Sequence, residues 1–104
     1  MKEPWVIALD ICTSKPRDRG KILQNAFPFA DIEVFGDTGS FRTEVVVRDK
    51  RKVVPFTFGC HHEVISRKTY EASDLITQDG VYLIAFDLAT ELYKYFGGVC
   101  DDER

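Results

Sequence analysis

Phe-Arg-Thr-Glu-Val-Val-Val-Arg, residues 41–48, is the stretch of this 104-residue sequence that decides the fold. In an extended strand, one face carries Phe41, Thr43, Val45 and Val47. The opposite face carries Arg42, Glu44, Val46 and Arg48. Alternation of this kind predicts a strand with one side on a core. A polar segment at 49–51 and a second strand-like run at 52–59 follow, so the sequence predicts a β-hairpin with a basic tip.

Two more strands are predicted before this hairpin. Residues 5–12, Trp-Val-Ile-Ala-Leu-Asp-Ile-Cys, form a continuous apolar run, which is typical of a buried central strand. Residues 31–35 alternate weakly and predict a short strand. In the 52–59 strand, Pro55 cannot donate a ladder hydrogen bond, which favours a sheet edge or a bulge. Residues 60–72 fit either a further strand or a covering loop.

Two helices complete the predicted fold. Pro16 can occupy the first turn of a helix over residues 16–27, which Pro28 ends. A long apolar stripe predicts a second helix over residues 81–96, ended by Gly97-Gly98. The sequence therefore predicts one α+β domain over residues 1–104. Its four-stranded, mixed or antiparallel sheet packs against both helices.

The C-terminal helix is more apolar than one sheet face requires. Three side chains widen its stripe: Ile84, Leu88 and Tyr95. Such residues either fill a second layer of the core or contact another subunit, and symmetric dimers are the usual solution for surplus apolar surface. We therefore treat these three as candidate interface residues of a homodimer.

Composition indicates a globular protein, with 44% hydrophobic and 30% charged residues and a net charge of −3. The three cysteines form no CxxC motif, which favours reduced thiols. No apolar run approaches the roughly 20 residues of a membrane span, and the first apolar run is too short for a signal peptide. We expect a cytoplasmic protein that does not enter a membrane.

Basic residues concentrate in two segments. The first contains Lys15, Arg17, Arg19 and Lys21. The second contains Arg48, Lys50, Arg51 and Lys52. The first segment opens a predicted helix, where unpaired N–H groups favour anions. If the second segment lies close to it, the two could bind a phosphate backbone, a nucleotide or an acidic protein; alternatively, both are solvated surface.

Metal-dependent catalysis has two candidate carboxylates, Asp10 at the end of the first predicted strand and Glu44 on the hairpin. A nuclease with an Asp…Glu-x-Lys pattern needs a lysine at position 46, and Val46 stands there. We therefore expect no enzymatic activity, and nuclease chemistry is the minority hypothesis.

A metal site has two candidate ligands, Cys60 and His62. The His-x-Glu spacing of His61 and Glu63 is that of zinc-dependent deaminases, but the chain has no Pro-Cys-x-x-Cys turn to complete such a site. A looser zinc site would need Cys60, His62 and a second cysteine. We expect neither a metal nor another cofactor, with these side chains as ordinary polar and small residues near a strand end.

The sequence thus favours a small, non-catalytic interaction module that binds a protein partner, as a regulator or inhibitor. Proteins of this size and profile are common among phage-encoded and mobile-element accessory factors, an association of type that no particular residue here carries. A nucleic-acid or nucleotide-binding protein is the alternative.

Overall fold

The computed structural model describes residues 3–37, 42–56 and 59–97. Within them, the α-helices are Pro4–Cys12 (α1), Arg19–Ala26 (α2) and Gln78–Leu92 (α3), and the strands are Ala30–Asp37 (β1), Arg42–Phe56 (β2) and Gly59–Glu71 (β3). Short 3₁₀ turns at Pro16–Asp18 and Ala72–Leu75 precede α2 and α3, and a π-helical turn at Tyr93–Gly97 follows α3. The predicted α+β class is confirmed. No helix in these ranges is long and apolar enough to cross a membrane.

The three strands form one antiparallel sheet in the order β1-β2-β3. Val45 and Val47 of β2 are buried in the same core cluster as side chains of all three helices, so the helices cover one face of the sheet. The opposite face carries charged residues, including an ion pair between Arg48 and Glu33. The sheet is thus apolar on its helical side and carries charged residues on the other, as the alternation along residues 42–48 predicts. Val46 is buried on this second face. Phe41 lies outside the described residues.

The prediction of a strand over residues 5–12 was wrong, because these residues form α1. A short apolar run does not distinguish a buried strand from a buried helix by periodicity alone. The helix begins at Pro4, where a proline without an N–H is tolerated. Its buried residues recur at helical spacing: Ile7, Ala8, Ile11 and Cys12.

The prediction of a hairpin tip at residues 49–51 was also wrong, and the described sheet has three strands rather than four. β2 continues through this segment, and β3 is the strand that pairs with it. Asp49 pairs with Glu63 and Val53 with His62, so residues 50–52 bulge out of the ladder. Pro55 is in the central strand, but β1 stops pairing at Asp49, so Pro55 lies where β2 has only one neighbour.

The two predicted helices are present with shifted ends. The segment 16–27 begins as a 3₁₀ turn and continues as α2 to Ala26. The segment 81–96 lies within α3 and the π-helical turn. α3 starts earlier than predicted because Thr77 caps it, its Oγ1 accepting a hydrogen bond from the N–H of Gly80 at 3.0 Å.

α1 and α3 pack against each other in opposite directions. The side chain of Gln78, at the start of α3, donates to the carbonyl oxygen of Cys12, at the end of α1, at 3.3 Å. α1 also contacts α2, and α2 contacts β1. The end of α1 and the starts of α2 and α3 therefore meet at one end of the domain.

Two helical glycines should respond oppositely to alanine. A Cβ at Gly20 would meet no atom within 4 Å, whereas a Cβ at Gly80 would overlap the backbone carbonyl of Asp74. We expect Gly20→Ala to raise the free energy of unfolding by about 0.5–1 kcal/mol through better helix propensity. Gly80→Ala should lower it. Urea unfolding of both variants checks this, and equal effects would contradict the placement of the 72–80 segment.

Candidate functional site

A cavity of about 340 Å³ lies where α1, α2 and α3 meet the sheet. Its walls come from every layer of the fold: Ile11 from α1, Leu23 from α2, Val45 from β2 and Ile84 from α3. The remaining lining residues are Pro16, Arg17, Arg19, Gly20, Val34, Thr43, Tyr70, Leu75, Val81, Ala85 and Leu88. The lining is mostly aliphatic, with two arginines and one tyrosine, and this is the character of small-molecule pockets.

Two polar atoms of this lining are buried without a hydrogen-bond partner, the Nε of Arg19 and the hydroxyl of Tyr70. Elsewhere in the described residues, the hydroxyls of Ser66 and Thr90 share this property but do not line the cavity. An unpaired buried polar group costs about 1–3 kcal/mol, and most such groups in native proteins have partners. Two unpaired donors in one cavity are the pattern expected where a ligand supplies the acceptors.

Tyr70 is a hydrogen-bond donor at neutral pH. Burial is the largest influence on its hydroxyl and raises the pKa of Tyr70 above its ordinary value. The phenol therefore stays protonated, and its O–H is available to an acceptor inside the cavity. Tyr70 lies in residues 60–72, where the sequence left strand and loop open, so its position on a core-facing strand could not be assigned.

The opposite end of the helical layer is closed by a cluster around Asp49, which is fully buried. The Tyr95 hydroxyl donates to Asp49 Oδ2 at 2.8 Å, and the Arg51 backbone N–H donates to Oδ1 at 2.9 Å. The Arg51 side chain adds contacts of 3.1 and 3.3 Å to the same carboxylate. Its guanidinium also lies over the rings of Phe29 and Phe96, 5.3 and 5.1 Å from their centroids. We call these five residues the Asp49 cluster.

The Asp49 carboxylate is ionised despite its burial. Burial alone would raise its pKa, but hydrogen bonds from Arg51 and Tyr95 outweigh that effect and lower the pKa of Asp49 to about 2. A carboxyl whose pKa is lower in the folded than in the unfolded state stabilises the fold above its unfolded pKa of about 3.9. This contribution is lost as the pH falls from about 5 towards 2.

The structure separates the two basic segments. Arg17 and Arg19 line the cavity. Their sequence neighbours Lys15 and Lys21 are exposed to solvent. In the second segment, Arg48 pairs with Glu33 on the sheet face opposite the helices. Arg51 belongs to the Asp49 cluster, and Lys52 lies 5.6 Å from the ring centroid of Tyr95. Lys50 is exposed. The described contacts of the two segments are with different partners, and nucleic-acid binding stays a prediction.

Asp10 and Glu44 are not brought together. Asp10 lies in helix α1, whereas the case for catalysis needed it at the end of a neighbouring strand. Glu44 alternates with Val45 along β2 and so faces away from the helices. The sheet therefore separates the two carboxylates.

The metal candidates form no described site. His62 Nδ1 lies 3.2 Å from Asp31 Oδ2, and this contact joins β3 to β1. The side chain of Cys60 lies outside the described residues. Among the side chains that the structure describes, no group of three or more His, Cys, Asp or Glu residues is placed to hold a metal ion.

The three candidate interface residues all have roles within the chain. Leu88 is buried in the core and lines the cavity, and Ile84 is partly buried beside it. Tyr95 belongs to the Asp49 cluster. The exposed apolar surface of α3 lies instead at Leu83 and Phe86.

In comparisons with known proteins, no protein family, no characterised protein and no solved structure matches this chain.

Tyr95 and Tyr70 differ in whether their buried hydroxyl has a hydrogen-bond partner, so their phenylalanine variants should differ in stability. Tyr95→Phe removes a hydrogen bond to a buried charge, so it should lower the free energy of unfolding by about 1.5–3 kcal/mol. Tyr70→Phe removes a buried hydroxyl without a partner, so the protein without ligand should be unchanged or more stable. Urea unfolding of both variants measures the difference. Equal losses, or a larger loss for Tyr70→Phe, would contradict the described hydrogen bonding.

Proposed function

We propose that the protein is a binding module that takes a small, largely apolar molecule into the cavity. The observation that carries this proposal is an open aliphatic cavity that contains two buried, unpaired hydrogen-bond donors. Apolar walls supply affinity, and a few fixed polar groups orient a ligand. The proposal keeps the expectation of a non-catalytic module and changes its ligand from a protein to a small molecule.

The size of the cavity limits the ligand. A volume of about 340 Å³ lies at the lower end of the roughly 300–1,000 Å³ range of ligand pockets. If each non-hydrogen atom takes about the 30 Å³ of a liquid water molecule, about eleven such atoms fit. This matches a chain of about eight to ten carbons or a single substituted ring.

We expect the wild-type protein to bind 1-octanol, a neutral probe of suitable length, and Ala85→Leu to weaken this binding about tenfold or more. Ala85 is buried and lines the cavity, so three added carbons take up about a quarter of the space. Titration followed by NMR measures both affinities.

The exposed Leu83 on the same helix supplies the control, since Leu83→Ala should leave octanol binding unchanged. If Ala85→Leu does not fold, Val45→Phe serves as the second cavity-filling variant, because Val45 lines the cavity from the sheet. Absence of octanol binding to the wild type, or undiminished binding by a folded cavity-filling variant, would refute the proposal.

Self-association is a second candidate function, favoured by exposed apolar side chains on the outer surface of α1. Trp5 and Leu9 are 51% and 47% exposed, and their spacing of four residues places them on one side of the helix. A second copy of the chain is the proposed occupant, since two-fold dimers are the commonest assembly of small domains.

Light scattering tests this second candidate. At tens of micromolar, a dimer gives twice the 11.9 kDa of one chain, and Trp5→Ser with Leu9→Ser should return it to the monomer. Val53→Ser, at an exposed position of β2, is the control. A wild-type protein that is monomeric at these concentrations would refute self-association.

A further inference from the structure

We infer that the ligand of the cavity is a monocarboxylate of about eight to ten carbons, whose chain lies in the aliphatic part and whose carboxylate is bound by Arg19 and Arg17. This inference rests on the proposed function, because it assumes that the cavity is a binding site. Its own content is the charge and chemistry of the ligand's head group.

Arg19 needs an acceptor that the described residues do not provide. Its Nε is buried and without a hydrogen-bond partner, while its position at the first turn of α2 places it in the cavity wall. A guanidinium offers donors in a planar fork that matches the two oxygens of a carboxylate. A carboxylate at this point would satisfy the Nε and neutralise a partly buried charge.

The lining is electrostatically suited to a negative group. It contains Arg17 and Arg19, and its described residues include no acidic side chain. On α3, Asp87 and Glu91 pair with Lys68, whose Nζ lies 2.7 Å and 2.6 Å from them. Asp79, in the first turn of α3, lies outside the lining. Asp18 lies between the two arginines in sequence, outside the lining. Two cations therefore face the cavity without a lining carboxylate to balance them.

The apolar walls favour a carboxylate over a phosphate. A charged group brought beside aliphatic side chains loses solvation, and this cost rises steeply with charge. A singly charged carboxylate that one guanidinium can bind in two-point contact is a better match than a phosphate of higher charge. The Tyr70 hydroxyl, protonated because burial raises the pKa of Tyr70, adds a second buried donor to the same cavity.

Three probes with the same eight-carbon chain separate the head group from the chain: octanoate, 1-octanol and octylammonium. At pH 7 and low salt, we expect the wild-type protein to bind octanoate about tenfold or more tightly than octanol, because hydrogen bonds to charged groups are the strong ones. Octylammonium should bind most weakly. NMR titrations measure all three affinities.

Arg19→Gln identifies the group that binds the head. It should weaken octanoate about tenfold or more and leave octanol within about twofold, so that the preference disappears. Arg17→Gln should act in the same direction. Lys21→Gln is the matched control, because Lys21 is on the same helix, exposed and outside the lining, and its loss should leave the octanoate affinity unchanged.

The outcomes distinguish this inference from the proposed function. If octanol binds, and either octanoate or octylammonium binds with the same affinity as octanol, the inferred carboxylate head group is wrong. The proposed apolar binding module then stands. If none of the probes binds, the proposed function itself fails. A preference for octanoate that survives both arginine variants would place the head group elsewhere and overturn the inference.

Discussion

Asp49 keeps its negative charge inside the protein because Arg51 and Tyr95 both donate hydrogen bonds to its carboxylate. Arg51 comes from the β2 bulge and Tyr95 from the turn after α3, so this interaction ties the end of α3 to the sheet. The fully buried Phe27 and Phe96 rings, 6.3 Å apart, pack there as well. The layers are thus joined tightly at one end. At the other end the aliphatic side chains leave the space that forms the cavity.

Sequence periodicity was sufficient to predict the type of an element where one face of the element is mainly apolar and the other mainly polar. This holds for residues 42–48 and for α3, whose stripe is long enough to exclude a strand. It failed for α1, where an almost wholly apolar run carries no readable period. It failed again at residues 49–51, where a charged segment resembles a turn although β2 continues through it. The buried position of Asp49 could have been found, since it continues the core-facing alternation of Val45 and Val47.

Only part of the candidate site could be predicted from the sequence. Arg17 and Arg19 stood out as basic residues before a predicted helix, which gave a reason to expect an anion. The aliphatic walls could not be predicted, because residues such as Leu23 and Val45 have the same sequence pattern whether they fill a core or line a cavity. A cavity is a volume left over after packing, and small differences in side-chain size decide whether it exists. Because the space is already formed, a ligand would meet little cost of rearranging the protein.

Methyl NMR spectra of the protein with octanoate test most directly whether this cavity is a binding site. Ile11, Leu23 and Val45 report on different walls of the cavity, while Leu83 and Val53 are exposed elsewhere. A cavity-bound ligand predicts shifts and ligand-to-methyl NOEs at the first three residues and none at the other two. Unchanged methyl signals in the cavity, with shifts at Leu83 or Val53, would contradict it.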